Sequence, residues 1–356
     1  MSGPVRVLVV DDSAFMRTAL TRTLGSDARI EVVGQARDGL DAIEKVRALS
    51  PDVVTMDFNM PRMNGAQAVR AILKERAVPV IMLSAHTVDG AEETLEALSA
   101  GAVDFLTKPD GEVSTDLSGV REELVRKVLA ASRARPQITR DKPTIRMKAV
   151  DPAAHEPVTR PAGERISFSQ ILDPVIVVAV STGGPAALER VIPQLGSDLP
   201  YGVLVVQHMP AQFTRALASR LAGMSSLEVR EARAGERMVA GRVLFAPGNR
   251  HVVVARNGML EITDGPAVNN CRPSADVTLQ SAAPVYGPRL VAVVMTGMGR
   301  DGAVGAAAVR AAGGKVIAQD RETSVVWGMP RAVVEMGVAD EVLPLGKIAG
   351  RLARLS

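Results

Sequence analysis

The stretch VIVVAVSTGGP at positions 175–185 predicts a buried β-strand that ends at a hydroxyl side chain, Ser181. An unbroken run of Val, Ile and Ala suits a parallel strand covered on both faces. The paired glycines and Pro185 suit a tight turn into a helix, because proline is tolerated in the first helical turn. Ser181 is then expected near a helix N-terminus, where unpaired N–H groups attract negative charge. The stretch alone leaves a helix cap and a nucleophile as open interpretations.

The composition indicates a cytoplasmic protein of two or three domains, because 356 residues exceed one ordinary core. Apolar runs such as residues 175–180 are far shorter than the roughly 18–20 residues that span a bilayer, and the N-terminus has no signal-peptide pattern. The single cysteine, Cys271, excludes an internal disulfide and a cysteine cluster for zinc. The 42 basic and 39 acidic residues nearly balance, so no nucleic-acid partner is expected.

Residues 1–133 predict a five-stranded, doubly wound parallel sheet of the flavodoxin-like type, because five apolar runs alternate with helical patterns. Such sheets place their sites at the carboxyl ends of the strands, where this sequence has Asp11 and Asp12, Asp57, Ser84, and Lys108. Clustered carboxylates suit a shared Mg²⁺, and Asp57 is positioned to attack a phosphoryl donor. Taken one by one, these residues also fit helix caps or loops.

This half resembles the response-regulator receiver domain through DDS at 11–13, MDFNMP at 56–61, LSA at 83–85 and DFLTKP at 104–109. The resemblance implies that a histidine kinase phosphorylates Asp57. It also implies that Mg²⁺ is held by Asp11 or Asp12, Asp57 and the backbone carbonyl of Asn59. The residues implied in the phosphorylation switch are Ser84, Phe105 and Lys108.

Residues 134–173 predict a flexible, basic, proline-rich linker without apolar periodicity. Its excess of Arg and Lys accounts for much of the basic isoelectric point. Because no aromatic side chains are interleaved among its basic residues for base stacking, a solvated tether or a weak contact with an acidic partner is favoured over a nucleic-acid arm.

Residues 174–356 predict an α/β domain with a mostly parallel sheet and an antiparallel excursion near 229, 243–245, 251–255 and 259–262. Apolar runs at 175–180, 203–206 and 290–295 lead to Ser181, His208 and Asp301. These three side chains are the residue types of an acyl-transfer triad, in which Ser181 is the nucleophile, His208 is the base and Asp301 orients His208.

Less specific interpretations remain open for two of these residues, because His208 could be structural and Asp301 could cap the helix that follows it. The chain order Ser, His, Asp differs from the Ser, Asp, His order of α/β-hydrolases, and Ala179 stands where their first glycine is expected. An ordinary lipase-type esterase is therefore disfavoured.

This domain resembles the catalytic domain of chemotaxis protein-glutamate methylesterases. The matching motifs are STGG at 181–184, QHMP at 207–210, APG at 246–248, DGP at 264–266, RPS at 272–274, TGMGRDG at 296–302 and GMP at 328–330. The resemblance implies hydrolysis of glutamate methyl esters on the cytoplasmic helices of chemoreceptors, with release of methanol and without a cofactor. It also implies an oxyanion hole from the backbone N–H groups of Thr182 and Met298, and some members deamidate receptor glutamines.

Two departures from the family pattern stand near the nucleophile. Ala179 and Val180 replace the usual Gly-Ala, which predicts a more crowded turn. Cys271 stands where histidine or another polar residue is common, and packing is favoured over catalysis because no activating base is evident beside it in the sequence.

The sequence as a whole leads to the hypothesis of a monomeric, phosphorylation-activated esterase whose unphosphorylated receiver covers the Ser181 edge. Its expected partners are a histidine kinase and methylated chemoreceptors, without insertion into the membrane. One rival is a response regulator with a DNA-binding output, which would need a compact helical module with a basic recognition helix. The other rival is a binding adaptor that keeps the fold without activity.

Overall fold

The computed structural model describes residues 3–84, 87–108, 118–134, 136 and 173–355. The first sheet consists of β1 (Val5–Val10), β2 (Ile30–Ala36), β3 (Val53–Asp57), β4 (Val80–Ser84) and β5 (Asp104–Thr107). All its pairings are parallel, in the spatial order β2-β1-β3-β4-β5. The predicted receiver-type sheet is therefore confirmed.

The helices of this first part alternate with its strands: α1 (Ala14–Gly25), α2 (Gly39–Leu49), α3 (Gly65–Glu75), α4 (Val88–Ala100) and α5 (Ser118–Ala131). Their starts follow local sequence signals. Ser13 Oγ accepts the N–H of Met16 and caps α1, and Asn64 forms a reciprocal capping box with Gln67 at the start of α3. These caps end the loops that follow β1 and β3, so they help to fix the strand-end residues in those loops.

The second part is built on nine strands: β6 (Val175–Val180), β7 (Gly202–Gln207), β8 (Glu228–Glu231), β9 (Arg242–Phe245), β10 (His251–Val254), β11 (Leu260–Thr263), β12 (Leu290–Val294), β13 (Lys315–Gln319) and β14 (Glu341–Leu343). Seven of them form a parallel sheet in the order β14-β13-β12-β6-β7-β9-β8. Because β6 lies between β12 and β7, the order of winding reverses around β6, which is where α/β sheets open a crevice for ligands.

The helices of the second part are α6 (Gly184–Val191), α7 (Ala211–Ala222), α8 (Ala275–Tyr286), α9 (Ala303–Ala311), α10 (Met329–Glu335) and α11 (Leu345–Leu352). All six residues of β6 are buried, as the unbroken apolar run predicts. None of the described helices is long and apolar enough to cross a bilayer.

The predicted antiparallel excursion is only partly correct. Strands β10 and β11 do form an antiparallel pair, but β8 and β9 join the main sheet in parallel. Residues 232–241 connect the end of β8 to the start of β9 at the opposite edge of the sheet, so β9 runs parallel to β8 and lies between β7 and β8. The sequence could not show this, because an apolar pattern reports which face of a strand is buried and not the direction in which the strand runs.

The two parts pack on each other through α4 of the first and α6 and α7 of the second. Leu95 and Leu98 of α4 belong to the same hydrophobic cluster as Leu217 and Leu221 of α7. At its edge, Glu189 Oε1 accepts hydrogen bonds from Ser99 Oγ at 2.5 Å and from Arg220 Nε at 2.7 Å. The predicted linker, residues 134–173, lies outside the described residues except for positions 134, 136 and 173.

Candidate active site

The loop after β6 presents Ser181 at the carboxyl edge of the second sheet. The Ser181 N–H donates to Thr296 O at 3.0 Å, and the Ser181 carbonyl accepts the Gly184 N–H at 2.7 Å. Gly183 adopts a φ of +77°, a left-handed conformation that a side chain would strain. The loop is therefore fixed by backbone bonds to the neighbouring strand end and by a glycine that its geometry requires.

Glycines also resolve the crowding that Ala179 and Val180 predict. A Cβ at Gly184 would lie 2.9 Å from Val180 Cγ2, and a Cβ at Gly297 would lie 2.8 Å from Ser181 Cβ. The larger valine thus fits because its neighbour has no side chain. The same absence lets the backbone of Gly297 approach the candidate nucleophile closely.

His208 and Asp301, which follow β7 and β12, form a preassembled pair. His208 Nε2 lies 2.8 Å from Asp301 Oδ2, and Asp301 is 1% exposed. The carboxylate also accepts hydrogen bonds from Ser274 Oγ at 2.6 Å and from the Ala275 N–H at 2.6 Å. These donors hold the carboxylate of Asp301 against the start of α8. Asp301 does not cap α9, because the N-cap of that helix is Gly302.

The pair shifts the pKa of both of its members. Burial alone would lower the pKa of His208, but the hydrogen bonds to Asp301 and Cys271 outweigh burial and raise the pKa to about 9. Burial alone would raise the pKa of Asp301, but the contact with His208 and the hydrogen bonds from Ser274 and Ala275 hold it well below the usual range. Asp301 is therefore an anion at neutral pH, suited to stabilise an imidazolium.

Ser181 and His208 line one cavity without a hydrogen bond between them among the described residues. Both line a cavity of about 300 Å³, together with Met298 and Cys271. Within the described part of the chain, no hydrogen bond joins Ser181 Oγ to His208, and Nδ1 of the imidazole is hydrogen-bonded to Cys271 Sγ at 3.5 Å. The structure thus brings the three predicted residues to one edge, with the base and its carboxylate in contact and the hydroxyl apart.

The predicted oxyanion-hole residues, Thr182 and Met298, line the same cavity. Among the described residues, neither backbone N–H donates to another backbone carbonyl. The Thr182 hydroxyl donates to Asp104 Oδ2 of β5 at 2.6 Å, and the Gly183 N–H donates to Val103 O at 3.0 Å. The nucleophile loop of the second part is therefore hydrogen-bonded to the first.

The acidic site of the first part is assembled around Lys108. Its Nζ lies 2.9 Å from Asp11 Oδ2 and 2.5 Å from Asp57 Oδ1. Burial raises the pKa of Asp57 to about 6, helped by the nearby Asp11 and Asp12 and opposed by Lys108. Burial alone would lower the pKa of Lys108, but the two carboxylates raise it. A crowded carboxylate pocket of this kind suits a hard divalent cation.

The remaining predicted receiver residues lie around this pocket. Asp12 and Asn59 are exposed, and Asn59 Nδ2 donates to Glu93 at 3.0 Å. The oxygens of Asp11, Asp12 and Asp57 do not all lie within 4.8 Å of one another in the described residues. Ser84, at the end of β4, is buried and donates to Gly90 O at 2.9 Å.

Phe105 extends from β5 to the second part, where its ring stacks on Phe213 of α7 with centroids 4.4 Å apart. Lys127 Nζ also lies over the Phe105 ring, 5.4 Å from its centroid, and donates to Asp104 Oδ1 at 2.9 Å. Sequence reasoning assigned a switch role to Phe105 but missed Asp104, Phe213 and Lys127. No local signal marks them, because their contacts join residues far apart in the chain.

Comparisons with known proteins agree with the family resemblance of each half of the chain. A family model described as CheB methylesterase matches residues 176–352, and one described as response regulator receiver domain matches residues 7–114. A curated relative from Symbiobacterium thermophilum, named protein-glutamate methylesterase/protein-glutamine glutaminase, is 51% identical over 99% of this chain and 97% of its own length. A relative of the same name from Thermotoga maritima is 44% identical, over 99% of this chain and 98% of its own length.

A solved structure extends the likeness to three dimensions. The Thermotoga maritima CheB methylesterase catalytic domain is 45% identical and covers 52% of this chain and 100% of its own length, with a TM-score of 0.51. With two family models in the expected order and relatives aligned along nearly the whole chain, this protein belongs to the CheB methylesterase family, with a response regulator receiver domain before the catalytic domain.

Proposed function

We propose that this chain is a phosphorylation-activated serine esterase that hydrolyses glutamate γ-methyl esters on chemoreceptors, releasing methanol during chemotaxis adaptation. One observation carries the proposal: His208, which contacts Asp301 at 2.8 Å, lines the same cavity as Ser181. The names of the relatives support the substrate class and a second activity on receptor glutamines. Deamidation uses the same chemistry, because both reactions pass through an acyl-enzyme.

In the proposed reaction, Ser181 Oγ attacks the ester carbonyl and His208 takes its proton. In this ring orientation Nδ1 is the accepting atom, because Nε2 is bonded to Asp301 Oδ2. The backbone N–H groups of Thr182 and Met298 are suited to receive the oxyanion. His208 then returns the proton to the leaving methanol, and water hydrolyses the acyl-enzyme by the same steps.

In the proposed regulation, a histidine kinase phosphorylates Asp57. The residues that would hold Mg²⁺ are Asp11 or Asp12, Asp57 and the carbonyl of Asn59. When bound, the cation supplies positive charge to the phosphoryl oxygens. Lys108, which now contacts Asp11 and Asp57, would pair with the added phosphoryl group, which carries about −1.5 to −2 charges.

The receiver is positioned to control the esterase because Asp104 and Phe105 of β5 line the same cavity as Ser181 and His208. Phosphorylation of Asp57 would change the position of Lys108, three residues along the chain from Phe105. Loss of the Phe105–Phe213 stack and of the Asp104–Thr182 hydrogen bond would uncover the cavity and free the loop that carries Ser181. A tenfold activation needs only about 1.4 kcal/mol of differential stabilisation of the open state.

The proposal is tested by methanol release from methylated receptor membranes. Ser181→Ala should lower the rate by about 10⁴–10⁶-fold, because the nucleophile is lost. Ser225→Ala, in the loop before β8, is the matched control and should retain the wild-type rate. If Ser181→Ala keeps most of the activity, Ser181 is not the nucleophile; if the wild type releases no methanol, the binding-adaptor interpretation is favoured.

A further inference from the structure

Cys271 lies against Nδ1 of His208, the ring nitrogen that does not contact Asp301. Its Sγ is 3.5 Å from Nδ1, and its other contact is with Asn269 O at 3.4 Å. The side chain is half-buried and lines the active-site cavity. Among the described residues, His208, Cys271 and Asp301 are the one group of three metal-ligating side chains whose ligand atoms lie within 4.8 Å of one another.

The distance between the two ligand atoms suits a tetrahedral zinc ion. Zn–S and Zn–N bonds of about 2.3 and 2.0–2.1 Å, meeting at a tetrahedral angle, place sulfur and nitrogen about 3.5 Å apart. The observed Sγ···Nδ1 separation is 3.5 Å. The same separation accommodates a hydrogen bond that shares one proton, so a metal ion can replace that proton with little movement of either side chain.

Asp301 suits the role of an outer partner rather than that of a ligand. Its oxygens already accept hydrogen bonds from Ser274, Ala275 and Asn269, as well as contacting His208 Nε2. Histidines that bind zinc commonly donate their second ring N–H to a carboxylate, which fixes the tautomer and raises the basicity of the ligating nitrogen. The His208–Asp301 contact has this arrangement, with Nδ1 left as the metal-facing atom.

We propose that Cys271 Sγ and His208 Nδ1 form an inhibitory binding site for Zn²⁺ or a similar thiophilic divalent cation inside the esterase cavity. On binding, the proton shared by sulfur and nitrogen is released to solvent, and sulfur and Nδ1 each form a bond to the metal. The cavity of about 300 Å³ has room for water molecules, which would complete the coordination. The neighbouring Arg272 lines the same cavity, and its Nη1 donates to the carbonyls of Asp264 and Gly265.

Inhibition, unlike binding, rests on the proposed esterase function. The Nδ1 lone pair that would hold the metal is the lone pair that must accept the proton of Ser181, because Nε2 is engaged by Asp301. Metal and proton therefore compete for one atom. The sequence alone gave no reason for a zinc site, since it has one cysteine; the fold supplies the histidine from a strand end 63 positions away.

Binding is tested on the full chain without an affinity tag, with Co²⁺ as a spectroscopic substitute for Zn²⁺ and Mg²⁺ in excess to occupy the receiver. Coordination by sulfur gives a thiolate-to-cobalt charge-transfer absorption, and Cys271 is the only thiol in the chain. The wild type and Ser181→Ala should both show the band, and Cys271→Ser should lack it. Asp301→Asn should weaken cobalt binding by about 10–100-fold, as expected for loss of an outer partner.

Inhibition is tested by methanol release at increasing Zn²⁺, with each variant normalised to its own rate without zinc. The concentration for half-inhibition should rise at least tenfold in Cys271→Ser, and a chelator should restore the wild-type rate. Absence of the cobalt band in the wild type, or equal zinc sensitivity of the wild type and Cys271→Ser, would overturn the proposal. A cobalt band in a chain that releases no methanol would instead contradict the proposed esterase function and leave the metal site standing.

Discussion

The two carboxyl edges of the molecule are built by the same topology but are assembled to different degrees. In the receiver, Lys108 already contacts both Asp11 and Asp57, and all three residues lie at the carboxyl ends of strands of one sheet. In the catalytic domain, His208 and Asp301 are in contact, but Ser181 is not hydrogen-bonded to His208 within the described residues. The acidic cluster of the receiver is thus joined by ion pairs, whereas among the described residues the proposed triad lacks a hydrogen bond between Ser181 and His208.

The difference follows from what holds each strand-end loop. The receiver loops are held by caps and ion pairs inside their own domain, such as Ser13 on α1. The loop of Ser181 is held partly by the other domain, through Thr182 on Asp104 and Gly183 on Val103. A catalytic loop bonded to a regulatory domain can respond to that domain, and the following changes test this dependence from the largest expected effect to the smallest.

Asp301→Asn breaks the assembled half of the esterase site. We expect kcat to fall by about 10⁴-fold, because an amide in place of the carboxylate disfavours the required tautomer of His208 and no longer stabilises its cation. The measurement is steady-state methanol release, with circular dichroism to check folding. Near-normal activity in a folded variant would show that the His208–Asp301 contact is structural.

Asp57→Asn separates the receiver signal from the catalytic chemistry. A small phosphoryl donor with Mg²⁺ should raise the wild-type rate about tenfold or more, corresponding to a shift of at least about 1.4 kcal/mol, and should leave Asp57→Asn unchanged. Asp89→Asn, at the exposed start of α4, is the matched control and should respond like the wild type. Equal responses of all three proteins would exclude phosphorylation of Asp57 as the switch.

The Phe105–Phe213 stack measures how strongly the two domains are coupled. Phe105→Leu, Phe213→Leu and the double variant form a cycle in which the coupling should be about 0.5–1.5 kcal/mol, the usual worth of an aromatic pair beyond its buried area. If the stack keeps the cavity closed, each single variant should raise the unphosphorylated rate a few-fold, and the double variant should add little. Rates that are strictly additive in free energy would show that the stack does not couple the domains.

The pH dependence of kcat/KM tests the environment of the base. Only neutral His208 can accept the proton of Ser181, so activity of the unphosphorylated enzyme should rise with pH and level off above the raised pKa of about 9. The hydrogen bond to Cys271 contributes to the raised pKa of His208. Cys271→Ala should therefore shift the rise of activity to lower pH, toward the ordinary histidine pKa of about 6.5. An unchanged limb would show that Cys271 does not influence the base.

Most of the site residues could be predicted because each carries a local signal. Apolar runs that end in Asp57, Ser181, His208 or Asp301 indicate strands, and parallel strands place their carboxyl ends at one edge. The direction of β8 and β9 could not be predicted, since the same alternation of apolar residues fits parallel and antiparallel pairing. The hydrogen bonds that Asp301 accepts could not be predicted either, because one donor, Ser274, lies at the start of another helix.

The sequence by itself determined the two sheets, their order in the chain and the side chains at their carboxyl ends, because those features depend on periodicity, turn residues and strand length. Only the tertiary structure decided which of these side chains touch. It placed Cys271, rather than Ser181, against His208 and bonded Thr182 to Asp104 of the receiver. Such contacts depend on how separate elements pack over long chain distances, and no local pattern of residues encodes an interatomic distance of that kind.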